Sequence, residues 1–239
     1  MTRTGADSGA DTGADTGADT GAGTAAGHDF TLCGATLTAL PSGALFWRDR
    51  GLLVVSDLHL GRSARYARHA GALLPPYEVA ETLARLEADI TATGAHRVIS
   101  LGDAFDDMAA AGIAGDQRAR LMRLMQGRRW IWISGNHDPG PTGLGGRHQT
   151  EARLGPLVFR HIAEAGARGE VSGHYHPKAR LAGRSRPCFL VDDTRAILPA
   201  YGSYTGGLAS DSPALAGLMA PGALAILTGA LLRPIPMPR

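Results

Sequence analysis

The chain has 239 residues, of which 44% are hydrophobic, and its formal net charge is +2. This length and apolar content are most simply those of one folded domain with a sizeable core and a tail. Cys33 and Cys188 lie far apart, which argues against a thiolate metal site or a disulfide framework and favours a reducing, cytoplasmic setting.

The first 27 residues form a low-complexity segment. They repeat the unit Gly-Ala-Asp-Thr and hold almost no side chain large enough to offset the entropy lost when a backbone is ordered. The segment also lacks the apolar run of a secretory signal. We therefore predict a disordered tail over residues 1–27 and a folded domain over residues 28–239.

Strands and helices alternate in the first half of the predicted domain. A hairpin pattern comes first, followed by buried apolar runs separated by segments with helical spacing. This alternation predicts parallel strand pairing with helical crossovers. The predicted strands are 36–40, 44–47, 52–56, 97–101 and 130–134, and the predicted helices are 78–92 and 115–126.

Short strands replace helices after His161, at about 170–172, 178–181, 188–191, 196–198 and 223–227. The two halves together predict a four-layer αββα sandwich with mixed sheets. Residues 214–232 carry no charge and are about long enough to span a bilayer. Because prolines and glycines interrupt them, we expect a short terminal strand and no membrane partner.

Five polar clusters follow predicted strands, where ligands bind in α/β sheets. Such clusters suit two divalent cations, which need a bridging carboxylate and a mixture of oxygen and imidazole ligands. A glycine before the polar residue lets the backbone turn sharply and pass close to an ion. The clusters are Asp57-Leu58-His59, Gly102-Asp103 with Asp106, Gly135-Asn136-His137-Asp138, His161, and Gly173-His174-Tyr175-His176.

These blocks, DLH, GDAFD, GNHD, a single histidine and GHYH, resemble in order the five motifs of calcineurin-like metallophosphoesterases over residues 50–180. The resemblance implies a two-metal phosphoesterase. The implied ligands of the first metal are Asp57, His59, Asp103 and His176. The implied ligands of the second are Asp103, Asn136, His161 and His174. Manganese is the expected metal, with iron, zinc and magnesium left open.

The resemblance also implies that His137 is the catalytic histidine and that Asp106 orients its ring, although Asp106 could instead cap a helix. His161 is the weakest of the ligand assignments, because its sequence context departs from the family pattern. His148 competes with it, but His161 directly follows an apolar run whereas His148 lies in a glycine-rich loop.

Within this superfamily, the chain most resembles the bacterial ligase-associated DNA damage response endonucleases. Residues 58–64, 186–189 and 198–207 carry this resemblance, with Arg62 where a lysine is expected. It implies a DNA phosphodiesterase that works with an ATP-dependent DNA ligase and a helicase. Hydrolysis of a cyclic nucleotide or other small phosphoester stays open, as does a scaffold without catalysis.

Basic side chains flank the first and last motifs. Arg62, Arg65 and Arg68 recur every three residues, and Lys178 and Arg180 share one face of a predicted strand. Both groups could hold the phosphates beside a scissile bond, or they could form a solvated charged face.

Overall fold

Two mixed β-sheets form the centre of the computed structural model, which describes residues 27–63, 65–66, 77–106, 113, 115–138, 140 and 143–238. The predicted tail falls almost wholly outside these residues. The boundary between tail and domain therefore stays a prediction.

Sheet 1 follows chain order from β1 to β7 within the described residues. The strands β1 to β4 pair antiparallel, and β4 to β7 pair parallel. The parallel half therefore presents the carboxyl ends of its strands at one edge. The bounds are β1 His28–Leu32, β2 Ala35–Ala39, β3 Leu45–Trp47, β4 Leu52–Val55, β5 Arg97–Leu101, β6 Arg129–Ile133 and β7 Arg147–Gln149.

Two long helices of the described part of the chain fall in the connections between the parallel strands of sheet 1. Helix α1 spans Glu78–Thr93 and α2 spans Gly115–Met125, each within one residue of the predicted limit. Leu83, Leu86 and Ile90 of α1 are buried at helical spacing, and Gly94 ends the helix with a φ of 63°. This β-α-β-α-β order confirms the predicted parallel half.

Sheet 2 is formed by the second half of the chain in the order β15-β14-β12-β13-β10-β9-β8, with β11 paired to β12. The strands β9, β10 and β13 are parallel to one another, and the other pairs are antiparallel. The bounds are β8 Glu151–Leu154, β9 Leu157–Arg160, β10 Glu170–Ser172, β11 Lys178–Leu181, β12 Arg184–Val191, β13 Arg195–Ile197, β14 Leu224–Leu227 and β15 Arg233–Pro236.

Three apolar clusters separate four layers. One lies between sheet 1 and the helices α1 and α2, and a second lies between the two sheets. The third packs sheet 2 against the short helix α3, Pro213–Leu218, through Leu215. This arrangement confirms the predicted αββα sandwich.

Several elements differ from the prediction. Strands β1, β7, β8 and β15 and helix α3 are additional, and β12 begins four residues before its predicted start. The uncharged stretch 214–232 holds most of α3 and the strand β14. Among the helices that the structure describes, none has the length and apolar character needed to cross a bilayer.

Candidate active site

The polar clusters meet at one edge of the sandwich, where strands of both sheets end. Asp57, Asp103 and Asn136 follow strands of sheet 1, whereas His161 and His174 follow β9 and β10 of sheet 2. Two contacts join the sheets here. Nδ1 of His161 lies 2.8 Å from the carbonyl oxygen of Leu101, and the backbone N–H of His174 donates to Oδ2 of Asp57 at 2.9 Å.

The first candidate metal group consists of Asp57, His59 and His176, whose ligand atoms lie within 4.8 Å of one another. Nε2 of His176 is 3.2 Å from Oδ1 of Asp57 and 3.4 Å from Nε2 of His59. Two imidazole nitrogens and a carboxylate oxygen therefore face one small volume, a donor set that suits a divalent transition metal.

The second candidate group consists of Asp103, His161 and His174. Nε2 of His161 is 3.4 Å from Oδ2 of Asp103, 3.2 Å from Nδ1 of His174 and 2.9 Å from Oδ1 of Asn136. The implied ligands fall into these two groups as the resemblance divides them, with one exception. Asp103 lies within 4.8 Å of the other ligand atoms in the second group but is not part of the first.

The carboxylates of both groups and His174 have pKa shifts that suit metal binding, whereas burial acts to lower the pKa of His161 but Asp103 and Asp57 outweigh it and raise this pKa. Oδ1 of Asp57 is buried, and its polar neighbour Nε2 of His176, 3.2 Å away, does not lie in hydrogen-bond geometry. Burial acts to raise the pKa of Asp57 and Asp103, but their histidine neighbours outweigh it, and the pKa of Asp103 falls to about 2. Burial and then the charge of His161 lower the pKa of His174, which favours the neutral, metal-binding imidazole.

The backbone at this edge is conformationally unusual. Eight non-glycine residues in the described part of the chain have positive φ, and five of them are candidate ligands. Left-handed backbone is costly for residues with a Cβ and persists mainly at functional sites. The five are Asp57, His59, Asp103, His174 and His176.

Residues 51–204 match the calcineurin-like phosphoesterase family. The chain belongs to this family. No match was found among curated proteins. A structural match was found to a solved crystal structure, that of the Pseudomonas putida nuclease MPE, with a TM-score of 0.70 and 28% sequence identity. The match covers 87% of this chain and 100% of that one. The chain is thus a metal-dependent phosphoesterase.

Two glycines let the loops of this phosphoesterase approach the metal ligands. A Cβ atom at Gly135 would lie 2.1 Å from Oδ1 of Asp103, and one at Gly173 would lie 2.5 Å from Oδ2 of Asp57. Neither position has room for a side chain, so the glycines are required by contact with the ligands.

His161 and His148, the two competing candidates, occupy different environments. His161 is buried among the second group, and its Nδ1 faces the Leu101 carbonyl, which leaves Nε2 for a cation. His148 lies in β7 and stacks on Trp132, with ring centroids 6.2 Å apart. The structure therefore places His161 with Asp103 and leaves His148 in a packing role.

His137 stands at the solvent side of the phosphoesterase site. Its backbone N–H donates to Oδ1 of Asp103 at 2.9 Å, and its ring meets the ring of His59 edge to face with centroids 5.4 Å apart. Nε2 lies 4.0 Å from Oδ2 of Asp103, and a third of the side chain is exposed. The ring is therefore open to a substrate while its backbone is fixed.

Asp106 contacts a different histidine from the one expected. Its Oδ1 lies 3.0 Å from Nδ1 of His59, and its described contacts do not include His137. The backbone explains this, because Leu60 bridges Phe105 and the N–H of Asp106 donates to the carbonyl of Leu60 at 3.1 Å. The pairing of the two loops brings Asp106 to His59, so we expect Asp106 to orient His59 instead of His137.

Asp138 is a site residue to which sequence analysis assigns no role, although it closes the GNHD block. Its Oδ2 accepts hydrogen bonds from the N–H groups of Ala104 and Phe105 at 2.8 and 3.1 Å, and its Oδ1 accepts one from Gly135 at 3.2 Å. Burial, with the nearby charge of Asp103, raises its pKa to about 6. Asp138 thus ties the loop after β5 to the loop after β6.

The arginines beside the first motif are engaged by a carboxylate. Nη1 of Arg65 donates to Oδ2 of Asp106 at 3.0 Å, and Nε of Arg62 lies 3.8 Å from Oδ1 of the same residue. Arg68 lies outside the described residues. The contacts of Arg62 and Arg65 therefore favour a structural charge network behind His59, and their contact with phosphate stays a prediction.

Lys178 and Arg180 line a cavity of about 360 Å³, together with Asp211. Nζ of Lys178 donates to the carbonyl of Thr205 at 3.1 Å, whereas Arg180 is exposed. Gly207 lines this cavity and also a neighbouring one beside the last metal motif. Lys178 and Arg180 thus line a cavity that adjoins the one beside His174 and His176, and their contact with phosphate also stays a prediction.

Proposed function

We propose that this phosphoesterase cleaves phosphodiester bonds in DNA, with manganese as its preferred metal. The observation that carries the proposal is the pair of histidine and carboxylate groups at the shared edge of the two sheets. The likeness to a nuclease of Pseudomonas putida over nearly the whole chain supports a nucleic acid as the substrate. Mixed imidazole and carboxylate donors suit manganese.

Two cations bound at this edge would lower the pKa of a water molecule and stabilise negative charge on the phosphoryl oxygens. Two sets of side chains in this chain would hold the two cations. One set is Asp57, His59 and His176, and the other is Asp103, His161 and His174 with the amide oxygen of Asn136.

The surroundings of His137 support a role for it on the leaving oxygen. Its ring is partly exposed beside both groups, and its loop is held by the backbone hydrogen bond to Asp103. When water adds to phosphorus and the bond to the leaving oxygen breaks, a protonated His137 can give its proton to that oxygen. Such transfer by a positioned histidine typically contributes 10²- to 10⁴-fold to a rate.

The test uses the full chain with supercoiled plasmid DNA and with bis(p-nitrophenyl) phosphate. We expect chelation by EDTA to abolish both reactions and manganese to restore them, and we expect plasmid nicking to identify an endonuclease. Asp103→Asn should weaken metal binding and both activities together. Hydrolysis of cyclic nucleotides without cleavage of DNA would support a small-phosphoester enzyme instead, and full metal content without any turnover would support a scaffold.

We also propose that the chain works with an ATP-dependent DNA ligase and a helicase. The proposal rests on the resemblance carried by residues 58–64, 186–189 and 198–207. Copurification of the tagged chain from its native host should recover a ligase or a helicase. Recovery of neither, together with separate gene locations, would argue against a repair assignment.

A further inference from the structure

A further cavity, of about 440 Å³, opens between the sheets at the end opposite the metal groups. It is lined by the first residues of β4, β5, β6 and β7, whereas the metal ligands follow the last residues of these strands. A five-residue strand puts roughly 15 Å between the two ends. The cavity is therefore separate from the phosphoesterase site.

Strand register brings three arginines together here. Arg97 of β5 pairs with Arg129 of β6, so their side chains leave the same face of sheet 1. Arg147 of β7 pairs with Ile131, which lies two residues after Arg129 and so shares that face. The face is the inner one, because Ile99 and Ile131 on it pack in the cluster between the sheets.

These three arginines have no acidic partner among the described residues. Arg153 also lines the cavity, but its guanidinium pairs with Glu151 at 2.9 Å. Nε of Arg97 is buried without a hydrogen bond to any described residue. Like charges at paired positions of neighbouring strands destabilise a sheet. A bound anion would compensate the charge of this group and would give the buried Nε of Arg97 a partner.

The walls of the cavity are apolar. Leu52, Ile99 and Ile131 line it from sheet 1, and Ala152 and Leu154 line it from sheet 2. A simple inorganic anion would leave these walls in water. A ligand that carries both a phosphate and a flat apolar group would use the arginines and the walls together, and the volume lies within the range of small-molecule sites.

We propose that this arginine pocket binds a nucleotide, with its phosphate between Arg97, Arg129 and Arg147 and its base between the two sheets. Guanidinium groups bind phosphate through charge-assisted hydrogen bonds, and aliphatic side chains pack against a base. The proposal does not require the chain to cleave DNA.

The probe is adenosine monophosphate, titrated calorimetrically into the metal-loaded full chain. Arg129→Glu and Arg147→Glu should each weaken binding by at least about 10-fold, the effect of losing one charged hydrogen bond. Both residues are exposed, so the variants should fold, and their hydrolysis of bis(p-nitrophenyl) phosphate should equal that of the wild type. Arg123→Glu, the same change on an exposed face of α2, is the matched control and should bind normally.

Asp103→Asn separates the pocket from the metal groups, because nucleotide binding at the pocket should survive this change. Binding that disappears with Asp103→Asn, or that persists in Arg129→Glu and Arg147→Glu, would overturn the proposal. Equal affinity for adenosine would show that the phosphate is not recognised, and equal affinity for inorganic phosphate would show that the base is not. Arginine-dependent binding of a single-stranded oligonucleotide without binding of the mononucleotide would also refute it.

Discussion

Replacing Asp106 by asparagine removes one negative charge from behind His59 while keeping the shape of the side chain. The carboxylate is fully buried, and His59, Arg65 and Arg62 lower its pKa to about 2 although burial acts to raise it. Against the ordinary value of 3.8, this pKa means that the surroundings favour the charged form by about 2 kcal/mol. Loss of a carboxylate that supports a metal-binding histidine typically costs ~10- to 100-fold in metal affinity, so we expect a loss near the middle of that range, roughly 30-fold.

The assay is the dependence of bis(p-nitrophenyl) phosphate hydrolysis on manganese concentration, with bound metal measured in parallel. Asp106→Asn should need roughly 30 times more metal for half-maximal rate and should recover most of its rate at saturation. Asp49→Asn, the same change at an exposed position, should behave as the wild type. A normal metal requirement with a low rate at saturating metal would instead show that Asp106 serves His137, and would refute the reassignment.

His137→Ala should keep normal metal content and lower the rate by ~10²- to 10⁴-fold, and the loss of rate should be smallest for substrates with the most acidic leaving groups. A matching loss of bound metal would instead show that His137 is a ligand. Glu170→Gln should lower the free energy of unfolding in urea by about 1–3 kcal/mol, because it removes the charge 3.1 Å from buried Arg195, which keeps its hydrogen bonds to the carbonyls of Glu164 and Ala167. A change below about 1 kcal/mol would contradict this. Burial acts to raise the pKa of Asp192, but hydrogen bonds from three backbone N–H groups lower this pKa below its usual value. The ionised carboxylate therefore stabilises the fold above pH ~4, and this stabilisation is lost as the pH falls through the lowered pKa. Asp192→Asn should therefore cost about 1–3 kcal/mol at pH 7 and less below pH 4, and a difference independent of pH would disprove the linkage.

The convergence of the candidate ligands could be predicted because it depends on few geometric choices. Parallel strands joined by helices must end at one edge, so Asp57, Asp103 and Asn136 meet whatever the details of the helices. His161 and His174 follow parallel strands of the facing sheet, and their arrival at the same edge required the resemblance, because residues 170–198 alone indicate only short strands. The sandwich itself could be predicted because the first half of the chain alternates strands with helices, whereas the second half has mainly short strands.

Pairings that depend on loop geometry could not be predicted. Asp106 can reach His59 because an isolated β-bridge pairs Leu60 with Phe105. No periodic pattern in the sequence predicts this contact between two loops. The segment Arg147-His148-Gln149 has no apolar alternation, and it is a strand because β6 offers it hydrogen bonds. In both cases the decisive partner is far away in the chain.

The arginine pocket depends on strand register. In the sequence, Arg97 and Arg129 simply begin two buried strands, and Arg147 follows a run of glycines. A slip of one residue in any of these strands would turn its arginine to the opposite face of the sheet. The observed register puts all three on the inner face of sheet 1, at the mouth of the cavity, without acidic partners among the described residues. The strongest argument for an anionic ligand is therefore the buried Nε of Arg97, which has no described hydrogen-bond partner and lies beside two further arginines at an apolar cavity.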